Sequence, residues 1–157
     1  MKITFLTVGK NGDSQLERLI TGYMKRLTHY VKIEMRNVSD VRSGASMTRD
    51  RQKKLEGESL LAVLKPSDHV ILLDERGKEM TSRQFSEMIS KHLVNATREL
   101  VFVVGGPFGF SDEVYNRANS LFSLSKMTMT HEMVRLLFVE QLYRAFTIIR
   151  GEQYHHD

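Results

Sequence analysis

Short apolar runs alternate along the chain with longer segments of mixed character. The two patterns predict strands and helices in turn. Residues 3–8 form an apolar-rich run that ends at Gly9, the signature of a buried strand. After it, Asp13 or Ser14 caps a helix whose apolar positions are Leu16, Leu19, Ile20, Tyr23, Met24 and Leu27, one stripe at helical spacing. The opposite face of that helix carries Arg18, Lys25 and Arg26. Val31, Ile33 and Met35 alternate with Lys32, Glu34 and Arg36, which predicts a strand with one wet, mostly basic face. Residues 39–50 are polar and aperiodic and read as a loop that either contacts substrate or merely connects.

A helix is expected over 49–64, basic at its start and weakened at Gly57, until Lys65-Pro66-Ser67-Asp68 stops it. Residues 69–74 (HVILLD) predict a further buried strand and 75–78 a turn. Thr81 and Gln84 then have capping-box spacing ahead of Phe85, Met88, Ile89, His92 and Leu93. Residues 100–104 are β-branched and apolar, too short for a helix, and lead into Gly105-Gly106-Pro107-Phe108-Gly109. A short helix capped by Ser111 follows, with Asp112 and Glu113 at its positive end, then a strand at 121–125 and a long helix from 131 to 150. Ten alternating elements imply a mostly parallel sheet with helices on both faces, an α/β fold. At 157 residues, with no internal repeat, the whole chain (1–157) reads as a single domain.

Composition narrows the class. There is no cysteine, which excludes disulfides and thiolate metal sites. No apolar run reaches the length of a membrane span and the start lacks a secretory pattern, so a soluble cytoplasmic protein is expected. Charge is unevenly distributed. Residues 1–54 hold twelve Lys/Arg against five Asp/Glu, and the rest of the chain eleven against fourteen. A basic first third suggests a polyanionic partner, a solvated face being the plain alternative. The last helix is apolar on two sides, through Val134, Leu137, Phe138, Leu142, Ala145 and Ile149 and through Met133, Leu136, Val139, Tyr143 and Phe146. Such a helix must be covered twice, which predicts a homodimer.

The candidate ligand site lies where glycine or small polar residues follow strand ends, at 105–109 and 126–130. The glycine turn fits neither the dinucleotide fingerprint nor a phosphate loop, and Pro107 lacks the amide a phosphate cradle would use. It suits a ligand held by backbone groups and shape. His69 in a strand and His92 on an apolar helix face read as packed rather than catalytic. Asp74 and Glu75 are candidate acid/base groups, and no metal-ligand pattern is present. Tyr154, His155 and His156 close the chain and could fold over a site.

Taken together, Val103-Val104-Gly105-Gly106-Pro107-Phe108-Gly109, Leu124-Ser125-Lys126-Met127-Thr128-Met129, His131, Glu140-Gln141-Leu142-Tyr143-Arg144-Ala145 and Tyr154-His155 resemble the RlmH family of SPOUT-class methyltransferases over the full chain. The resemblance implies a C-terminal trefoil knot, a homodimer and S-adenosylmethionine as methyl donor. It also implies methylation of N3 of a pseudouridine (position 1915) in 23S ribosomal RNA within assembled ribosomes. By the same resemblance the cofactor is lined by Leu73, Gly105 and Leu124, Ser125, Lys126, Met127, Thr128 and Met129. No metal is implied. His155 is expected to act as general base, Tyr154 to position it and Arg144 to favour the developing anion. Lys25, Arg26, Arg49, Arg51, Lys53 and Lys54 are expected to neutralise RNA phosphates. The chain departs from the family pattern in two places. Thr130 replaces a proline and can cap the last helix, and His156 and Asp157 follow Tyr-His where a basic residue is usual. Two other readings share parts of this pattern: a flavodoxin-like nucleotide-binding protein, and a non-enzymatic ribosome- or RNA-binding factor.

Overall fold

The computed structural model describes residues 1–10, 12–41 and 47–156. Residues 42–46 of the expected loop at 39–50 lie outside them, as does Asp157. The elements run β1 (Lys2–Val8), α1 (Ser14–Leu27), β2 (Lys32–Val38), α2 (Arg49–Val63), β3 (His69–Glu79), α3 (Ser82–Val94), β4 (Glu99–Val104), α4 (Asp112–Arg117), β5 (Ser120–Ser123) and α5 (His131–Arg150). All five strands are parallel, in the order β2-β1-β4-β3-β5.

Local chemistry explains the boundaries. Asp13 accepts from the amides of Gln15 (2.7 Å) and Leu16 (3.2 Å) and starts α1. Thr81 and Gln84 form the full capping box ahead of α3. Thr130 accepts from the Met133 amide at 3.3 Å, so it does the capping expected of it at α5. Ser111 differs. It occupies the N-cap of α4 without making a side-chain cap bond.

Alternate residues of each strand feed two cores. Ile3, Phe5, Ile71, Leu73, Leu100, Phe102 and Val104 pack with α1, α3 and α5 on one face. Leu6, Val8, Val70, Leu72, Val101 and Val103 pack with Leu60 of α2 and Val114 of α4 on the other. A two-faced parallel sheet explains why these strands read as near-continuous apolar runs.

Two expectations are corrected. The turn at 75–78 does not end β3. Leu73 and Lys78 both pair with Phe122, so residues 74–77 bulge out and the strand resumes on β5. Gly77 is required there, because a Cβ would lie 2.6 Å from the Phe122 backbone. Gly57 is likewise no weak point, since it lets α2 close on α4, where a Cβ would sit 2.5 Å from Ser111 Oγ.

The double apolar face of α5 also has an internal explanation. α5 lies over the sheet between α1 and α3, which cover its flanks. Its buried stripe is Arg135, Phe138, Val139, Leu142, Ala145 and Phe146, and Met133 (38% exposed) and Leu137 (36%) remain uncovered.

Candidate functional site

A cleft of about 1070 Å³ opens at the carboxyl ends of β3, β4 and β5. This edge of a parallel sheet is where backbone groups of successive loops converge on a ligand. Its apolar lining includes Leu73, Val104, Phe108, Phe110 and Leu124. The 105–109 turn supplies one wall. Gly109 has φ +78, in the left-handed region that favours glycine, and its amide donates to the Gly106 carbonyl at 3.1 Å. Residues 123–130 supply the opposite wall. Ser123 Oγ donates to the Ser125 carbonyl (2.9 Å) and Ser125 Oγ accepts from the Met127 amide (3.0 Å), so the serines fold this loop on itself.

Of the eight residues expected to line a cofactor, Leu73, Gly105, Leu124, Ser125, Met127, Thr128 and Met129 border this cleft. Lys126 does not. Its ammonium donates to the Glu75 carbonyl at 2.9 Å and ties the loop to the bulge of β3.

The bulge makes a polar flank. Tyr115 donates to Asp74 Oδ2 at 2.5 Å, and Asp74 Oδ1 accepts from the Arg76 amide (2.9 Å) and Nε (3.2 Å). Arg76 also contacts the Tyr115 hydroxyl and lies over its ring, 4.5 Å from the centroid. Burial pushes the Asp74 carboxyl up, but the bonds from Tyr115 and Arg76 together outweigh it and hold the group below the ordinary carboxylate value. Burial and then the Asp74 carboxylate push the Tyr115 phenol up to about 12. Asp74 is therefore an ionised, engaged carboxylate that organises this wall, which argues against the acid/base role considered for it.

Tyr154, His155 and Arg144 come together, but elsewhere. Arg144 Nη2 donates to Glu140 Oε1 at 2.6 Å, Tyr154 donates to the same oxygen at 3.2 Å, and His155 Nδ1 lies 3.5 Å from Arg144 Nη1. The Arg144 guanidinium lies 4.8 Å from the Tyr154 ring centroid, and the Tyr154 hydroxyl is 3.3 Å from that of Tyr23. Burial, then Tyr23 and Glu140, push the Tyr154 phenol upward, so it is a neutral hydroxyl near neutral pH. Gly151, at φ +68, turns the chain back along α5, and Tyr30 donates to Glu152 at 2.6 Å to hold the tail. His131, Glu132 and Val134 at the start of α5 border the cleft. Arg144 is ten residues beyond Val134 on the same helix, about 15 Å along its axis. One chain keeps the cleft and the tail cluster apart.

The six expected phosphate contacts divide in the same way. Arg49 lies 5.4 Å from the Phe108 ring centroid and Lys53 borders the cleft, with Arg51 and Lys54 on the same first turns of α2. Lys25 and Arg26 end α1, where Arg26 lies 5.5 Å from the Tyr23 and 5.7 Å from the Tyr143 ring centroid, beside the tail. His69 and His92 pack against each other with centroids 4.5 Å apart, neither of them at the cleft. No cluster of three metal-ligating side chains occurs among the described residues.

Sequence reasoning missed Asp74 as an organiser, Tyr115 and Arg76 as its partners, and Glu56. Glu56 is 2% exposed and stands directly behind Gly106. Its one signal is the spacing of Gln52, Glu56 and Leu60 on one face of α2, which apolar periodicity overlooks because two of the three are polar.

The comparisons with known proteins agree with one another. The family model described as a predicted SPOUT methyltransferase matches residues 1–155. The chain is 49% identical over 156 residues to a protein of Christiangramia forsetii named ribosomal RNA large subunit methyltransferase H, covering 99% of each. It is 46% identical over 157 residues to the protein of that name from Parabacteroides distasonis, covering 100% of each. Among solved structures, a probable methyltransferase from Bordetella pertussis aligns with a TM-score of 0.56 at 12% identity, covering 92% of this chain and 95% of that one. A putative methyltransferase from Legionella pneumophila, in complex with bound cofactor SAM, aligns at 0.51 and 11% identity, covering 92% and 66%. These two likenesses concern the fold.

Proposed function

The chain belongs to the RlmH family of SPOUT methyltransferases, and on that premise we propose that it methylates N3 of a pseudouridine in 23S ribosomal RNA (position 1915) from S-adenosylmethionine, as a homodimer acting on assembled ribosomes. The observation that carries this reading is the cleft at the ends of β3, β4 and β5. It is walled by two loops of backbone groups and small side chains, with apolar Leu73, Val104 and Leu124 between them. Such a lining suits an adenine-bearing cofactor, through amides and carbonyls for its edge and apolar contact for its ring. At about 1070 Å³ the cleft slightly exceeds the usual range of ligand pockets, roughly 300–1,000 Å³. It has room for a cofactor and an inserted base. Leu73, Gly105, Leu124, Ser125, Met127, Thr128 and Met129 would hold the cofactor, and Lys126 would brace their loop.

When bound, the cofactor supplies a sulfonium-activated methyl group. The protein must then align donor and acceptor and take the imide proton. In this reading His155 accepts the N3 proton, Tyr154 orients it and Arg144 stabilises the anion that proton loss creates. Glu140 fixes Arg144 and Tyr154 through one oxygen. Because about 15 Å of helix separates this cluster from the cleft of its own chain, the tail is assigned to the cleft of a second copy. The uncovered Met133 and Leu137 and the exposed Leu19 (53%) offer apolar surface for that pairing. The arrangement also joins the two cation groups, Arg49 to Lys54 at the cleft and Lys25 and Arg26 at the tail, along one RNA path. With so few phosphate contacts, recognition of a folded ribosomal surface by shape is favoured. The family's trefoil knot belongs to the same reading.

The test is transfer of labelled methyl from S-adenosylmethionine to ribosomes from cells lacking the gene, with the label mapped by mass spectrometry. Label on one pseudouridine of 23S RNA is expected, and its absence from a folded protein favours a non-enzymatic RNA-binding factor. Mixing His155→Ala with a cleft variant such as Gly105→Val tests the shared site. Each variant alone should be inactive and the mixture should regain activity through hybrid dimers. No recovery would remove the exchanged tail, and full turnover by His155→Ala across neutral pH would remove the general base.

A further inference from the structure

Three observations meet behind the glycine wall of the cleft. Glu56 of α2 is 2% exposed, although carboxylates are among the side chains least often fully buried. Its Oε1 accepts from Gln52 Nε2 at 2.8 Å, while Oε2 has no hydrogen-bond partner among the described residues. That oxygen is aimed at Gly106. A Cβ added to Gly106 would overlap it and lie 2.9 Å from Glu56 Cδ, and the three nearest atoms are all in the Glu56 carboxyl.

A methionine would fill this volume without desolvating a carboxyl, so packing alone does not account for the residue type. A buried polar oxygen without a partner is costly, and in native proteins it calls for an explanation. Here the explanation lies with the turn. The turn stands against this carboxyl at Gly106, where a side chain would collide with it, so glycine backbone is what faces the buried oxygen.

We propose that Glu56 is a positioning residue of the cofactor cleft, holding the glycine turn from behind and setting the wall against which S-adenosylmethionine lies. The inference rests on the reading of the cleft as a cofactor site. It adds to that reading a residue that does not border the cleft.

The protonation state of Glu56 follows from its surroundings. Burial raises its carboxyl above the ordinary value, the Gln52 bond works against this, and the charge of Asp40 adds to it. Among the described residues, Asp40 is the charged group that acts on it. α2 contributes the uncharged Gln52, and the turn contributes glycine backbone. The neutral acid therefore persists to higher pH than in an exposed glutamate, and in that form the carboxyl donates as well as accepts. Ionisation would place a charge behind the turn and loosen it.

The experiment is calorimetric titration of the full-length protein with S-adenosylmethionine between about pH 5 and 8, on wild type, Glu56→Gln and Glu56→Met. Wild-type affinity should fall as pH rises through the Glu56 titration. Glu56→Gln, which is neutral throughout and keeps a donor and an acceptor, should bind comparably at low pH with a flat profile. Glu56→Met, which keeps volume without polarity, should bind about tenfold or more weakly, because the turn loses the polar group behind it. Wild-type affinity in Glu56→Met overturns the inference, as does a Glu56→Gln profile that parallels wild type; the second result decides if Glu56→Met does not fold. A wild type that binds no cofactor overturns the cofactor reading itself, and does so before any variant is compared.

Discussion

Gly77→Ala isolates the contact on which the cleft floor depends. The added Cβ would stand 2.6 Å from Phe122 N, 2.6 Å from Phe122 C and 2.7 Å from Leu121 C. All three are backbone atoms, so no rotamer relieves the overlap. Reaching ordinary contact near 3.6 Å requires β5 to retreat by about 1 Å, which stretches hydrogen bonds from about 2.9 Å past the useful limit. The pairings of Lys78 with Phe122 and Glu79 with Ser123 would be lost. Two such bonds contribute about 1–3 kcal/mol net. β5 is an edge strand, but it is not free to move, because Phe122 is buried and stacked on Phe85 with ring centroids 4.8 Å apart. Disturbing that stack brings the expected cost to about 3 kcal/mol, at the upper end of overpacking penalties. For a domain of this size that corresponds to a fall in Tm of roughly 6–12 °C. Differential scanning calorimetry at matched protein concentration measures it. Cofactor affinity should weaken in parallel, because the displaced strand leads into the 124–130 loop. A Tm within about 2 °C of wild type would refute the rigidity assigned to the bulge.

Other substitutions separate the remaining arguments. Gly22 lies mid-α1, exposed, without a positive φ and with nothing within 4 Å of its would-be Cβ. Gly22→Ala should therefore stabilise by about 0.5–1 kcal/mol, read as a raised urea midpoint at unchanged slope. The Phe138 ring centroid lies 4.7 Å from those of Phe5 and Phe102 and 6.3 Å from that of Phe85. Phe138→Ala should cost about 3–5 kcal/mol, and a loss below 1 kcal/mol in urea unfolding would mean this core collapses around the gap. His69 and His92 are both held below the ordinary histidine value, His69 by burial and then Arg117, His92 by burial and then His69. The folded state thus binds fewer protons than the unfolded state just below about pH 6.5, so stability should fall as pH drops through that range. Tm measured from about pH 7.5 to 5 should show this, and His92→Gln should flatten the curve.

Much of this protein is legible in its residue order because the governing forces are local. Asp13, Thr81 with Gln84, and Thr130 announce helix starts through bonds spanning two or three residues. The near-continuous apolar runs of β1, β3 and β4 announce burial on both faces. Alternation then determines an α/β fold, and glycines after strand ends mark the edge where the cleft opens. Tertiary structure decided what depends on distant partners. Strand order β2-β1-β4-β3-β5 is a choice among pairings that no local period encodes. β3 continues past its expected turn because β5 takes up the ladder again at Lys78. Apart from Met133, the second apolar face of α5 packs among α1, α3 and the sheet, an arrangement visible only once the helices lie side by side. Gln52 and Glu56 carry no apolar signal in the residue order, and burial behind Gly106 gives the carboxyl its meaning. The separation of the Tyr154-His155 cluster from the cleft follows from the length of one helix. Residue types show what chemistry is available, and only the packed chain decides which groups can meet.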